Sequence, residues 1–252
     1  MNLQDRTVIV TGAASGIGAA TAHRLAAAGA AIAVLDRDEA GITVADAITA
    51  AGGKALFIKA DVADEGDVES AVAQTIQHFG RLDGAFNNAG VEQRNLPLDQ
   101  LTINDWNNAI SVDLTGVFLC LKHQVRAMLA TGGGAIVNTA STLGQTAMAN
   151  AGEYITAKHG VIGLTRAAAA EFTTQGIRVN AVSPGVTNTA MIQRVSQDPT
   201  FAAHFDKLRD RHIFDRFAEP AEVGEGVAWL LSDASSYVTG HVLAVDGGWL
   251  AI

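Results

Sequence analysis

Thr7-Val8-Ile9-Val10-Thr11-Gly12-Ala13-Ala14-Ser15-Gly16-Ile17-Gly18 is a β-branched run that breaks into a glycine-rich turn, and an alanine-rich stretch continues from it to Ala28. The pattern reads as strand, turn and helix. Glycines in such a turn let backbone N–H groups approach a pyrophosphate, and the N-terminus of the following helix favours its negative charge. The glycines fall at 12, 16 and 18 rather than in the G-x-G-x-x-G spacing of dinucleotide folds. By itself the turn therefore also fits a purely structural connection.

The chain then repeats the unit. A second strand over 31–35 ends at Asp36, eighteen residues after Gly18, where a carboxylate can accept both ribose hydroxyls of an adenosine. Helices are expected over about 40–51 and 65–79, and strands over 56–60, ending in Asp61-Val62, and 84–86, running into Asn87-Asn88-Ala89-Gly90. Strands and helices alternating at this interval give a parallel sheet with helices on both faces. Residues 98–130 read as two helices. The second carries Val112, Leu114, Val117, Phe118, Leu121 and Val125, too apolar for one buried stripe, and its extra face suggests a subunit interface. Strands over 135–139 and 178–182 come next, with a long helix between them to about Thr174. Residues 187–215 show no strand pattern and read as a partly helical lid containing Phe201, Phe205 and Phe214. Pro220 opens a last helix and 241–245 form a last strand. No linker or composition break divides residues 1–252, so one domain is expected.

Ser141 falls just past the fifth strand, and Tyr154 and Lys158 fall on the long helix that follows it. Tyrosine and lysine four apart on a helix share a face. A positive charge ~4 Å from a phenol is worth ~4 kcal/mol at an effective dielectric of ~20, or roughly three pKa units. Tyr154 is thus expected to be a phenolate near neutral pH, poised as a general acid or base.

Composition narrows the classes. A net charge of −9 leaves no basic footprint for nucleic acid and disfavours an anionic membrane surface, and 48% hydrophobic residues suffice for a full core. The polar start Met1-Asn2-Leu3-Gln4-Asp5-Arg6 is not a signal segment, and no apolar run reaches a membrane span. The single cysteine, Cys120, sits among apolar neighbours as a core residue and suits a reducing cytoplasm. The seven histidines form no set at metal spacing, so no metal site is expected.

Thr11-Gly12-x-x-x-Gly16-x-Gly18, Asn87-Asn88-Ala89-Gly90, Ser141, Tyr154-x-x-x-Lys158 and Pro184-Gly185 come in the order and spacing of the short-chain dehydrogenases/reductases, and the resemblance runs from about residue 5 to the end. It implies a Rossmann-like doubly wound domain with a seven-stranded parallel sheet, usually in a homotetramer. Tyr154 resembles the catalytic acid/base, Ser141 the group that hydrogen-bonds the substrate oxygen, and Lys158 the residue that holds the nicotinamide ribose and lowers the tyrosine pKa. Gly12, Ser15, Ile17, Gly18, Asp36, Arg37, Asp61, Val62, Asn88, Ala89, Gly90, Pro184, Gly185, Thr187 and Thr189, with Tyr154 and Lys158, stand where relatives hold the cofactor. The chain departs at Asp113, where the family usually has the asparagine of its catalytic set.

Asp36 resembles the feature of NAD-preferring members, although Arg37 beside it can meet a 2′-phosphate. Residues 83–88 and 116–120, Gly152-Glu153-Tyr154 and the ending Ala251-Ile252 look most like bacterial cyclic-alcohol and cyclohexadienediol dehydrogenases. Glu92, Leu143, Met148, Val186 and Met191 are expected to line the pocket of a small cyclic or aryl secondary alcohol. A 3-oxoacyl-thioester reductase, whose acyl carrier is acidic, would suit the lid's basic residues. A cofactor-binding regulator without turnover would not need the Ser/Tyr/Lys set.

Overall fold

The computed structural model describes residues 1–197 and 208–252, apart from the side chain of Val195. The strands are β1 (Thr7–Thr11), β2 (Ala31–Asp36), β3 (Lys54–Lys59), β4 (Gly84–Asn87), β5 (Gly134–Thr139), β6 (Ile177–Pro184) and β7 (Val242–Val245). Among the described residues they alternate with α1 (Gly16–Ala27), α2 (Gly41–Ala50), α3 (Glu65–Phe79), α4 (Ile103–Ile110), α5 (Gly116–Thr131), α6 (Gly152–Phe172), α7 (Ala190–Ser196) and α8 (Pro220–Leu231). All seven strands form one parallel sheet in the order β3-β2-β1-β4-β5-β6-β7, as expected for a doubly wound fold.

Each central strand is buried on both faces, which is why it reads as a continuous apolar run. Ile9, Leu35, Ala85 and Ile136 face a core completed by α3, α5 and α6. The alternate residues Val8, Val10, Val34, Phe86 and Val137 face a second core completed by α1, α2 and α8. Strand order reverses between β1 and β4. A crevice opens there at the carboxyl ends of the strands, where such sheets bind ligands.

Below that crevice a ladder of buried amides joins four elements. Asn87 Nδ2 donates to Gln124 Oε1 at 3.0 Å and to Asn138 Oδ1 at 2.9 Å, Gln124 Nε2 returns a bond to Asn87 Oδ1 at 2.7 Å, and Asn138 Nδ2 donates to Thr165 Oγ1 at 3.0 Å. β4, α5, β5 and α6, which lead to the candidate catalytic residues, are thereby held in one register.

Three expectations change. The third strand spans Lys54–Lys59 rather than 56–60; it starts two residues earlier because a sheet-edge strand tolerates at its start a lysine that an apolar-run reading leaves out. Residues 103–131 never leave helical backbone: α4 passes into α5 through a π-helical turn, Ser111–Thr115. The extra apolar face of α5 is mostly covered within the chain, since Val112, Leu119 and Cys120 pack with Val62 and Val68. Only Phe118 and Leu129 remain as large exposed apolar side chains on it. The C-terminal Trp249 is likewise buried within the chain, while Ile252 is exposed.

Candidate active site

The glycine turn and the β4 turn brace each other. Thr11 Oγ1 accepts from the backbone N–H groups of Asn88 and Ala89 at 2.9 and 3.0 Å, while Asn88 Nδ2 donates to the carbonyls of Thr11 and Gly12 at 3.1 and 3.2 Å. Gly12 has φ +63°, and a Cβ on it would lie 2.7 Å from Ala89 Cα, so only glycine fits. Asp36 accepts from Ala14 N–H through one oxygen and Asp38 N–H through the other, both at 2.9 Å, which fixes its carboxylate beside the turn. The Ser15 side chain makes no capping bond to α1, so the first N–H groups of that helix are not satisfied from its own N-cap.

At the opposite end of the crevice stand Ser141, just past β5, and Tyr154 and Lys158 on the first turns of α6. Lys158 Nζ lies 5.4 Å from the centre of the Tyr154 ring, donates to the Thr139 carbonyl at 3.2 Å and stands 3.5 Å from Asp113 Oδ1. The π-helical turn places Asp113 there, and such turns recur at functional sites. Asp113 is wholly buried. Its Oδ1 accepts from Val91 N–H at 3.1 Å and its Oδ2 has no partner. Gly90 leaves room for it, since a Cβ there would lie 2.6 Å from Asp113 Oδ1.

One cavity of about 450 Å³ runs from Asp36 past the glycine turn to Tyr154. Every site residue expected from the sequence lines it except Gly18 and Glu92. Gly18 has a packing role, because a Cβ on it would lie 2.1 Å from the Gly12 carbonyl. Glu92 instead turns to Arg194 of α7, 3.7 Å away.

A family model described as "Enoyl-(Acyl carrier protein) reductase" matches residues 12–250. The chain is 47% identical to 2,5-dichloro-2,5-cyclohexadiene-1,4-diol dehydrogenase of Sphingobium indicum, over 100% of this chain and 99% of that protein. It is 46% identical to cis-4-hydroxycyclohexanecarboxylate dehydrogenase of Sinomonas cyclohexanicum, with 98% of each covered. The crystal structure of levodione reductase superposes with a TM-score of 0.95 at 40% identity over 99% of both chains.

The chain belongs to the short-chain dehydrogenase/reductase family. It is an oxidoreductase of secondary alcohols and ketones that works with a nicotinamide dinucleotide, and the cleft fits such a group. Its glycine turn has the shape only glycines allow, and Asp36 and Lys158 stand at the two ends of one cavity.

In this short-chain dehydrogenase/reductase the expected neutral-pH phenolate is corrected. Burial is the largest influence on Tyr154 and raises its pKa; Lys158 pulls it down, Asp113 pushes it up, Ser141 pulls it down through a hydrogen bond, and the net direction is upward. Sequence reasoning counted the lysine and missed the walls and the carboxylate. Burial also raises Asp113, with Lys158 and the Val91 N–H opposing it and the nearby Glu153 adding to it. For Lys158 desolvation is the largest single influence and acts downward, yet Asp113 and Tyr154 together outweigh it, so the ammonium is favoured.

The stretch expected to form a lid is helical over α7, which carries Met191. Phe201 and Phe205 lie outside the described residues, and Phe214 is exposed rather than in the pocket. Sequence reasoning missed Val91, Gln93, Ile192, Leu208 and Trp249 as cavity residues.

Proposed function

We propose that the chain is an NAD(H)-dependent dehydrogenase that interconverts a small cyclic or aryl secondary alcohol and its ketone, with Tyr154 as acid/base. The observation that carries this reading is the position of Tyr154: it borders the cleft and also belongs to an apolar cluster with Leu143, Met148, Val186, Leu208 and Trp249. An alcohol carbon held against that cluster puts its hydroxyl at the phenol.

In oxidation, Tyr154 Oη takes the hydroxyl proton and the Ser141 hydroxyl stabilises the developing alkoxide. The cofactor, when bound, supplies the hydride acceptor or donor. Gly12, Ser15, Ile17, Asn88, Ala89, Gly90, Pro184, Gly185, Thr187 and Thr189 would hold its phosphates and nicotinamide half, Asp61 and Val62 its adenine, and Asp36 its ribose. Lys158 holds the nicotinamide ribose and keeps a positive charge beside Tyr154, and Asp113 tunes that pair. Residues 187–215 act as the lid of a single catalytic domain, four of which assemble in the cytoplasm.

NAD is favoured over NADP because an Asp36 carboxylate ~4 Å from a 2′-phosphate costs on the order of 4 kcal/mol at an effective dielectric of ~20, about a thousandfold, of which Arg37 offsets part. The test is kcat/KM for both cofactors across a panel of cyclic, aryl and acyl-thioester substrates. Equal values for NAD and NADP would overturn the cofactor reading, and Asp36→Ala should narrow the gap. The acyl-thioester alternative draws little support from the described cations of the lid, since Arg194 faces Glu92, Arg209 lies 3.4 Å from Asp215 and Arg211 lies over Trp249.

A further inference from the structure

Among the described residues, one wall of the cavity draws on three segments distant in sequence. Val186 follows β6, Leu208 comes from the lid region, and Trp249 follows the turn after β7. Trp249 is 5% exposed, and its backbone is tightly fixed. Asp246 accepts from Gly248 N–H at 3.0 Å and from Leu250 N–H at 2.9 Å. Gly247 and Gly248 both have positive φ, and a Cβ on Gly248 would lie 2.6 Å from Ile213. The turn is therefore pressed onto the segment containing His212.

His212 is 3% exposed and touches all three segments. Its Nε2 lies 3.2 Å from the Val186 amide, which can only donate, so Nε2 is the acceptor. The hydrogen then sits on Nδ1, which donates to the Leu208 carbonyl at 2.9 Å. The same ring meets Trp249 edge-on, with centroids 5.0 Å apart and planes at 83°, a favoured aromatic arrangement. A further ring contact, with Phe217, is also edge-on at 5.6 Å. A neutral imidazole with a single tautomer thus ties the end of β6, the lid and the C-terminal turn into one wall.

We infer that Trp249 determines which ring substituents the pocket admits, and that His212 is the positioning residue that holds this wall together. The inference rests on the proposed alcohol dehydrogenase reading and extends it to residues that neither bind cofactor nor move protons. An indole at the far end limits how far a ring can extend beyond its hydroxyl carbon. Removing it makes room for a substituent opposite that carbon.

The experiment compares cyclohexanol with 4-tert-butylcyclohexanol, using NAD and the full-length wild type, Trp249→Ala, His212→Phe and His212→Gln. Trp249→Ala should raise the ratio of kcat/KM for the larger over the smaller alcohol by about tenfold or more, the scale on which apolar pockets discriminate. His212→Phe keeps ring volume but loses both hydrogen bonds. It should raise KM for cyclohexanol several-fold with NADH affinity unchanged, and His212→Gln, whose amide oxygen can accept from Val186, should recover most of that loss. A wild type that oxidises both alcohols, with Trp249→Ala changing them by the same factor, overturns the inference. So does a His212→Phe variant whose kinetics match wild type.

A second measurement stands apart from turnover. Cyclohexanone added to the NAD-bound enzyme should quench indole emission saturably, and Trp249→Phe, which leaves Trp106 and Trp229, should abolish the saturable part. Failure of wild-type turnover with every cyclic alcohol would overturn the function reading. Absent quenching, or quenching that survives Trp249→Phe, would overturn the wall.

Discussion

Tyr154 and Asp113 carry the chemistry at the scale of single residues, and both can be tested by removing one functional group. Tyr154→Phe should lower kcat by about 10²-fold or more, the usual contribution of an acid/base group, while leaving NADH affinity nearly intact. Retention of more than roughly a tenth of wild-type kcat would remove the assignment. Oxidation needs the phenolate, so its rate should rise with pH through the tyrosine pKa, which burial holds above the ordinary phenol value. Asp113 adds to that upward push. Replacing it by neutral asparagine removes the push, lowers the tyrosine pKa and so should move the acidic limb of the oxidation profile to lower pH, with activity kept. A limb that stays in place would show that Asp113 does not act on Tyr154 through charge. A collapse of kcat would make the carboxylate an obligatory part of proton transfer. The four-residue spacing, taken with the family motifs in register around it, made the Tyr/Lys pair legible in sequence. The direction of the pKa was not, because desolvation depends on walls contributed by distant segments.

At the level of elements, apolar runs located most strands and helices, since strands buried on both faces carry an unmistakable pattern. The π-helical turn at Ser111–Thr115 had no local signal, and neither did the cover that Val62 and Val68 give to α5. Both are set by neighbours rather than by local propensity. The amide ladder was equally invisible, because Asn87, Gln124, Asn138 and Thr165 read as isolated polar residues until the fold aligns them. Asn138 is fully buried at its middle. Asn138→Ala would leave an Asn87 donor hydrogen and the Thr165 hydroxyl each short of a partner, at a cost of about 1–3 kcal/mol. Urea unfolding should show that loss. A change below about half a kcal/mol would mean that the neighbouring groups find other partners and that the ladder adds little to stability.

Assembly is the question at the scale of the whole molecule. The expectation of a homotetramer drew on the family resemblance and on the extra apolar face of the helix around Val112 to Val125, yet most of that face is covered inside the chain, as is Trp249. The large apolar side chains that stay exposed are spread over the described surface: among them Phe118 on α5 is 47% exposed, Leu98 and Ile103 near the start of α4 70% and 68%, Phe214 69% and Ile252 81%, and Tyr237 is fully so. Scattered apolar side chains are ordinary on a monomer, so the sharper test concerns Phe118, the more exposed of the two large apolar side chains, with Leu129, that α5 leaves uncovered. The homotetramer expectation is that it packs against a second copy. Light scattering at micromolar concentration should then report a tetramer of the 26.1 kDa chain. Phe118→Glu would bury an unpaired carboxylate in that contact, which costs far more than the lost apolar area, and should release smaller species that keep the wild-type circular dichroism. If Phe118 faces solvent in the assembly, the substitution will leave the scattering mass unchanged, and the tetramer must be built on another face. A wild-type monomer would overturn the assembly outright.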